Sequence, residues 1–232
     1  MILSGRPGGA GAAGLLRRSA PLLAAYALVF CIGPLSGEIV DRIAVTVGNQ
    51  VIAESAILEE LRVAAFLNRL PADLGPEQKR KAAERLVEQT LFKRDMEFTH
   101  FPLPAAEEAV GMEQEIRKGY ATEALFDEDL LLHHVSGEQL REHLLWQLTL
   151  LRFIEYRFAP AVQIPDNEIA QYYATKRAEW EAQKISPIPE LAEARAGIEK
   201  ILTQQRVDQA VDRWLGDTRT QVGIRYRAEA FQ

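Results

Sequence analysis

The chain after residue 37 opens with a stretch in which hydrophobic and polar residues alternate. In EIVDRIAVTVGNQVIAES, from Glu38 to Ser55, apolar side chains recur with the period of two that is typical of a half-buried strand. The alternation is interrupted by a turn, resumes, and then gives way to the entry of a helix. The pattern therefore predicts a β-hairpin that runs directly into a helix.

From residue 57 onward the hydrophobic period becomes that of helices. Prolines and glycines divide this region, because proline fits only the first turn of a helix and glycine favours its end. The predicted helices run from residue 57 to Pro71, from Pro76 to about Thr99, from Ala105 to about Lys118, from Thr122 to His133, from Ser136 to Pro160, from Asn167 to about Lys184, and from Glu190 past Leu215, where Gly216 allows an end or a kink.

The helix that begins after Ser136 is hydrophobic on two faces. Its start, Ser136-Gly137-Glu138-Gln139, has the S-x-x-Q form of a capping box. One apolar stripe is formed by Leu140, Leu144, Leu148, Leu151 and Phe158, and a second by Trp146, Leu150 and Phe153. Such a helix is either covered by neighbours on both sides or keeps one side for a partner.

The chain finishes with another alternating segment. Val222, Ile224 and Tyr226 alternate with glycine and arginine, which predicts a strand. A lone strand would leave its backbone N–H and C=O groups unpaired, and the opening hairpin is the other clear strand segment. We therefore expect a mainly α fold in which a small antiparallel sheet joins the N-terminal hairpin to the C-terminal strand. Residues 38–184 and 190–232 then form one module, and residues 185–189 are a linker.

Four stretches resemble the chaperone module of SurA-type periplasmic foldases. They are EIVDRIAVTVGNQVIAESAI, RLVEQTLFKRDME, LREHLLWQLTLLRFIEYRFAPAVQIPDNEIAQYY and IEKILTQQRVDQAVDRWLGDTRTQVGIRY, and they cover most of the region from Glu38 to Tyr226. The first is the most specific, since a V-D-x-I-x-x-x-V strand, a turn and a V-I-x-E-S helix entry occur in that order.

The resemblance implies a split module, in which a C-terminal helix and strand return to pack on the N-terminal part. This agrees with the strand pairing expected from the backbone. Typical members insert one or two parvulin-type prolyl isomerase domains before the last helix, and each such domain needs about a hundred residues. Here only residues 181–190 occupy that place. The comparison therefore implies a chaperone module without the isomerase domain, and hence no enzyme.

The first 37 residues have the pattern of an export signal. Arg6, Arg17 and Arg18 precede an uncharged apolar run from Ala20 to Ile32, which has the length of a signal-peptide core and is short for a membrane span. We expect cleavage before Glu38 and a periplasmic location. The alternative is an uncleaved N-terminal anchor in the inner membrane.

Composition and charge narrow the functions that fit. With 232 residues and 47% hydrophobic side chains, the chain can bury a sizeable core. Three of its 27 Lys and Arg and none of its 33 Asp and Glu precede residue 38, so the remainder carries a net charge of −9. Nucleic-acid binding is not expected, because phosphate contacts require clustered cations.

Catalytic and metal chemistry have little support in the sequence. Cys31, the only cysteine, lies in the export signal, so the cleaved chain would contain no thiol. His133, His134 and His143 lie close in sequence, but no nearby cysteine or suitably placed carboxylate completes a metal site. Neither a G-x-S-x-G elbow nor a G-x-x-x-x-G-K-[ST] phosphate loop occurs. We expect no catalytic residue, no metal and no cofactor.

Function is expected to reside in a hydrophobic surface. Aromatic side chains bury a large area with few rotatable bonds, so they bind many extended or unfolded segments moderately well. The candidate client-binding residues are Trp146, Leu150, Phe153, Tyr172 and Trp180. The alternative for all five is an ordinary place in the core.

These observations predict an ATP-independent periplasmic chaperone that holds unfolded polypeptide clients. In the resembling family the clients are outer-membrane proteins, whose alternating apolar strands need shielding in transit. Two alternatives stay open. One is an adaptor or structural protein that binds one fixed partner or a second copy of itself, and the other is a degenerate peptidyl-prolyl isomerase homologue. The sequence leaves the oligomeric state open.

Overall fold

A computed structural model gives the structure of residues 41–232. The predicted export signal, its cleavage before Glu38 and Cys31 lie outside the described residues. Within that range the chain forms three strands and seven α-helices. They are β1 (Ile43–Val47), β2 (Gln50–Ala53), α1 (Glu54–Asn68), α2 (Pro76–Thr99), α3 (Ala106–Arg117), α4 (Glu123–Leu132), α5 (Gly137–Phe158), α6 (Asp166–Ala182), α7 (Leu191–Gln221) and β3 (Ile224–Tyr226). Two short 3-10 segments, Ala159–Ala161 and Ala228–Phe231, follow α5 and β3.

The three strands form one antiparallel sheet with the order β2-β1-β3. In the hairpin turn Gly48 has a φ of 60°, which glycine adopts without strain. Val45 of β1 pairs with Tyr226 of β3, and the Gly48 N–H donates to the Gly223 carbonyl at 2.9 Å. The predicted pairing of the opening hairpin with the C-terminal strand is therefore confirmed, as is the mainly α fold around a small antiparallel sheet.

The first hydrophobic cluster lies between this sheet and the helices that follow it. Its buried residues come from β1, β2, α1, α2 and the C-terminal 3-10 segment: Ala44, Val45, Val47, Ile52, Ile57, Leu61, Ala82, Ala83, Val87, Leu91, Ala230 and Phe231. Trp214 and Leu215 of α7 pack against it. The final residues of the chain thus complete a core that the opening strands begin.

Helix α5 contributes to two further clusters. One joins α5 to α1 and α4 and buries Val63, Phe66, Phe126, Leu130, Val135, Leu140 and Leu144. The other joins α5 to α2 and α7 and buries Phe92, Met96, Phe153, Phe158 and Val207. The two apolar faces of α5 are therefore largely covered by neighbours, although Leu151 stays 65% exposed.

The predicted start of α5 is confirmed in atomic detail, whereas α7 continues past its possible end. The Ser136 hydroxyl accepts from the Gln139 N–H at 3.1 Å, and the Gln139 side-chain oxygen accepts from the Ser136 N–H at 2.8 Å. Helix α7 runs through Gly216 to Gln221. A glycine inside a helix costs about 1 kcal/mol. Trp214 and Leu215, directly before Gly216, pack against the hydrophobic clusters.

A buried carboxylate ties α3 to α5. Glu113 of α3 accepts from Arg141 of α5 at 2.8 Å and from Arg117 at 3.0 Å, and its side chain is only 6% exposed. Burial alone would raise the pKa of Glu113, but the hydrogen bonds from Arg141 and Arg117 outweigh it and hold the pKa below its usual value of 4.5. Glu113 is therefore an ionised, paired group within the fold.

Helix α6 and the first part of α7 have a much smaller core. We call α6 together with residues 191–206 of α7 the arm. Ile169 is the one buried residue of α6, and Ile198 is the one buried residue of that part of α7. Two exposed ion pairs join the helices, Asp166 with Arg195 and Glu168 with Arg206 at 2.8 Å.

The segment between the two helices of the arm is not helical. Residues 183–190 connect α6 to α7, and they include residues 185–189, the predicted linker. The Tyr173 hydroxyl donates to the Pro189 carbonyl at 2.9 Å and so fixes the linker against α6. Between residues 41 and 232, no helix combines the length and the hydrophobicity that a membrane span requires.

Candidate functional site

An apolar groove with a volume of about 790 Å³ lies between the end of α2 and the middle of α5. The residues that line it are Lys93, Met96, Glu97, His100, Phe101, Leu103, Glu142, Leu145, Trp146 and Thr149. Half of these are large hydrophobic side chains, and a groove of this size can accommodate several side chains of a bound segment. We call it the Trp146 groove.

One wall of the groove is the segment 101–104, which follows α2 directly. Helix α2 ends at His100, whose φ of 53° reverses the chain direction, and the Phe101 N–H then donates to the Met96 carbonyl at 2.9 Å. Two prolines, Pro102 and Pro104, prevent the segment from continuing as a helix. Leu103 between them is 70% exposed. We call residues 101–104 the ridge.

The ridge has a groove on each side. A second groove, of about 560 Å³, shares Phe101 and Leu103 with the Trp146 groove and adds Tyr156 of α5. Its far side is closed by Arg152, which donates to both carboxylate oxygens of Glu108 at 2.9 and 2.6 Å. The Arg152 hydrogen bond lowers the pKa of Glu108, so this pair stays ionised. The ridge therefore has an apolar groove on one side and a groove that is partly polar on the other.

The floor of the Trp146 groove is a packed aromatic cluster. The ring of Phe153 lies 5.2 Å from Phe101 and 6.3 Å from Phe92, in edge-to-face arrangements. Phe92 in turn stacks on Trp214 of α7 at 4.8 Å. Edge-to-face and offset stacked geometries are the favourable ones for aromatic pairs. The groove is thus preformed on a rigid base that includes the C-terminal helix.

Charges of both signs surround the opening of the groove. The Lys93 ammonium lies 4.9 Å from the centre of the Trp146 ring, a cation–π contact that holds the indole in place. Glu97 and Glu142 supply two carboxylates to the lining. Among residues 41–232 neither of these carboxylates forms an ion pair. The groove can therefore offer anionic as well as apolar contacts to a bound chain.

A small polar cleft of about 200 Å³ adjoins the groove and shares Lys93, Glu142 and Trp146 with it. In this cleft Glu60 accepts from Arg85 at 3.0 Å, and His143 lies 3.4 Å away. Burial alone would raise the pKa of Glu60, but the contacts with His143 and Arg85 outweigh it and keep the pKa below 4.5.

No residue that lines this cleft carries a hydroxyl or a thiol. A nucleophile of the kind that a histidine–carboxylate pair activates is therefore missing from its walls. The contacts of Glu60 instead join α1 to α2 and α5, which is a structural role.

The histidines predicted to be free of a metal are used in local contacts. His133 lies with one ring nitrogen 2.8 Å from the Asp129 carbonyl and the other 3.1 Å from the Leu70 carbonyl. Gln147 lies 2.8 Å from His143. In the part of the chain that the structure describes, no group of three or more histidine, cysteine, aspartate or glutamate residues is arranged to hold a metal ion.

Comparisons with known proteins give no family for this chain. No protein-family model matches it. No curated protein and no solved structure matches it either.

The five candidate residues named from the sequence occupy three different environments. Trp146 lines the groove, and Leu150 is partly buried in the cluster beneath it. Phe153 is 0% exposed, so it supports the floor and cannot contact a client directly. Tyr172 and Trp180 lie on α6, in the arm, away from the lining of the groove. The structure thus brings one of the five to the groove surface.

Four hydrophobic lining residues were missed in the sequence. They are Met96, Phe101, Leu103 and Leu145. Phe101 and Leu103 alternate with Pro102 and Pro104 directly after α2. Two large apolar residues held outside helices and strands by prolines are a signal of an exposed hydrophobic segment.

Proposed function

We propose that the protein is an ATP-independent periplasmic chaperone that holds extended segments of unfolded polypeptides in the Trp146 groove. Outer-membrane proteins in transit are the client class suggested by the resemblance to SurA-type foldases. The periplasmic location rests on the export signal predicted in the first 37 residues.

The observation that carries the proposal is the groove itself. Monomeric proteins rarely keep a continuous apolar surface open to solvent unless something binds there. Here Leu103 is 70% exposed on a ridge with grooves on both sides. A client segment that lies across the ridge can bury side chains on either side of it.

The lining favours binding with broad sequence tolerance. Five apolar side chains line the groove and need no particular hydrogen-bonding partner: Met96, Phe101, Leu103, Leu145 and Trp146. Methionine adapts its shape to different neighbours, as promiscuous binding surfaces require. Binding and release would then depend on affinity alone, without a nucleotide-driven step.

The proposal is tested by refolding a urea-denatured β-barrel outer-membrane protein by dilution and following its aggregation by light scattering. We expect the wild-type protein to suppress aggregation at stoichiometric excess. Trp146→Ala should weaken client binding about fivefold, the effect of losing roughly 1 kcal/mol of contact at a binding surface. Circular dichroism of the variant shows whether its fold is retained.

Trp180→Ala is the matched control, because Trp180 is also a partly buried tryptophan on a helix but lies in the arm. It should suppress aggregation as well as the wild type does. Unchanged aggregation in the presence of wild-type protein would contradict the chaperone proposal. Equal loss in both tryptophan variants would contradict the assignment of the groove.

The alternatives predict different results. An adaptor would co-purify from the periplasm with one partner in a fixed ratio, whereas a chaperone would bring down many unfolded proteins. A prolyl isomerase would accelerate X-Pro isomerisation in a test peptide, and activity of the pure protein in that assay would overturn the proposal.

A further inference from the structure

A second large groove, of about 740 Å³, lies where α1 and α4 end. Its lining residues are Arg62, Arg69, Leu70, Pro71, Ala72, Leu74, Tyr120, Asp129, Leu132, His133 and His134. None of them lines the Trp146 groove. We call it the Arg62 groove.

Exposed leucines make this groove a hydrophobic surface. Leu132 is 75% exposed, Leu70 is 61% exposed and Leu74 is 38% exposed. Leu131, next to Leu132 at the end of α4, is 74% exposed. Single exposed leucines are common, but a group of them around one concave surface indicates a binding site.

Two cations and one carboxylate line the Arg62 groove. The cations are Arg62 and Arg69, and the carboxylate is Asp129. Asp129 is already engaged, because it accepts from the Tyr120 hydroxyl at 2.6 Å and lies 3.1 Å from His133. Burial, together with the hydrogen bond to Asp129, raises the pKa of Tyr120 to about 12, so the phenol stays a neutral donor.

The two guanidinium groups are available to an anion. Within residues 41–232, neither Arg62 nor Arg69 has a carboxylate partner. Arg69 donates to the Gly119 carbonyl at 3.2 Å and lies over the Tyr120 ring at 4.9 Å, which fixes its position without neutralising its charge. Both arginines line the same groove, so they can meet the carboxylates of one bound segment.

We propose that the Arg62 groove binds extended polypeptide segments in which apolar side chains alternate with aspartate or glutamate. The leucines would bury the apolar side chains, and Arg62 and Arg69 would pair with the carboxylates. The Trp146 groove differs, since its lining carries the carboxylates of Glu97 and Glu142. The Arg62 groove therefore favours acidic segments, whereas the Trp146 groove, with Lys93 beside its two glutamates, has no such preference for acidic ones.

This second site does not depend on chaperone activity. Binding of a short soluble peptide can be measured without any aggregating client. If the protein failed to suppress aggregation, the proposed chaperone function would be contradicted. The proposal for the Arg62 groove would still be tested by the peptide measurement.

The test uses two fluorescein-labelled peptides with the same leucine and valine residues, one with glutamate and the other with lysine at the intervening positions. Fluorescence anisotropy gives their dissociation constants with the purified full-length protein. Arg62→Glu should weaken binding of the glutamate peptide about fivefold at low ionic strength, and the difference should shrink as salt screens the charges. The lysine peptide should not be weakened.

Arg213→Glu is the matched control, because it changes the net charge equally at an exposed position of α7 outside both grooves. It should alter the affinity for the glutamate peptide by less than about twofold, since screened distant charges contribute little. Trp146→Ala should also leave this affinity unchanged. Should Arg62→Glu fail to fold, Arg62→Gln with the same salt series replaces it.

Three results would overturn the proposal. One is equal affinity of the glutamate peptide for wild type and the Arg62 variant, and another is an equal loss in Arg213→Glu. The third is a different occupant, recognised in either of two ways. Sedimentation would show a dimer that Leu132→Ser dissociates, or phosphatidylglycerol vesicles would bind in an Arg62-dependent manner while the peptide does not.

Discussion

Trp146 and Trp180 look alike in the sequence, but the regions that carry them are built differently. Trp146 lies on α5, which packs against α1, α3 and α7 and buries Leu140, Leu144, Thr149, Phe153 and Phe158. Trp180 lies on α6, which packs mainly on α7 and buries only Ile169. An aromatic residue on α5 is therefore held by a well-packed core, whereas one on α6 has few buried neighbours.

The difference matters for binding. A preformed surface loses little conformational entropy when a ligand binds, whereas a weakly packed segment must first be ordered. Segments with few buried apolar contacts also open locally at low cost in free energy. The Trp146 groove is thus the better binding site, and the arm is the part of the described chain that should open most easily.

The largest expected contrast concerns the stability of these two regions. Phe153→Ala removes a fully buried ring from the floor of the Trp146 groove and should lower the free energy of unfolding by about 3–5 kcal/mol. Urea denaturation followed by circular dichroism measures this change. Phe153 was a candidate client-binding residue. A large loss of stability would show that it supports the fold beneath the groove and does not bind the client directly.

Tyr172→Ala is the counterpart in the arm. Tyr172 is partly buried, and a described contact of its ring is with the Lys176 ammonium at 5.8 Å. The substitution should lower the free energy of unfolding by less than about 1 kcal/mol. Equal destabilisation by the two variants would contradict the proposed difference between α5 and the arm.

The second contrast concerns ion pairs. Glu113→Gln, between α3 and α5, should lower the free energy of unfolding by about 2 kcal/mol at neutral pH. The substitution leaves Arg141 and Arg117 without their buried anionic partner. The folded-state pKa of Glu113 lies below 4.5, so its contribution is complete above that pH and is lost as the pH falls through the lowered value. The difference from wild type should therefore shrink on acidification.

Glu168→Gln removes an ion pair of the arm, which is partly exposed to solvent. The substitution should lower the free energy of unfolding by less than about 0.5 kcal/mol, because surface ion pairs usually contribute little. Thermal unfolding of the wild type and both variants at several pH values measures these differences in stability. A stability difference for Glu113→Gln that stays constant down to acidic pH would show that the carboxylate is not ionised in the way described.

Much of the fold was predictable because it depends on local patterns. The alternation around β1 and β3, the Ser136 capping box and the prolines that separate the helices each act within a few residues. The pairing of β1 with β3 is long-range, yet it was predictable because unpaired strands are costly. The ends of helices were less predictable: α1 begins at Glu54 and not at residue 57, and α7 continues through Gly216, where an end or a kink was possible.

The site was less predictable, because exposure is a property of the whole fold. Trp146 and Phe153 both belong to one apolar stripe of α5. Their spacing does not show that Trp146 lines the groove whereas Phe153 is fully buried beneath it. That assignment depends on Phe101 and Phe92, which come from a different part of the chain. The Arg62 groove likewise combines distant parts of the chain, since its arginines come from α1 and the residue after it, and Leu132 comes from α4.

The smallest contrast concerns two exposed aliphatic residues in loops. Leu103→Ser on the ridge should hardly change stability but should weaken the binding of an apolar client peptide about fivefold, since it removes roughly 1 kcal/mol of apolar contact. Ile185→Ser in the linker of the arm replaces a residue that is 46% exposed and should leave binding unchanged. Anisotropy titrations with one labelled peptide measure both. If the Ile185 variant bound more weakly than the Leu103 variant, the client would lie on the arm, and the rigid groove would not be its site.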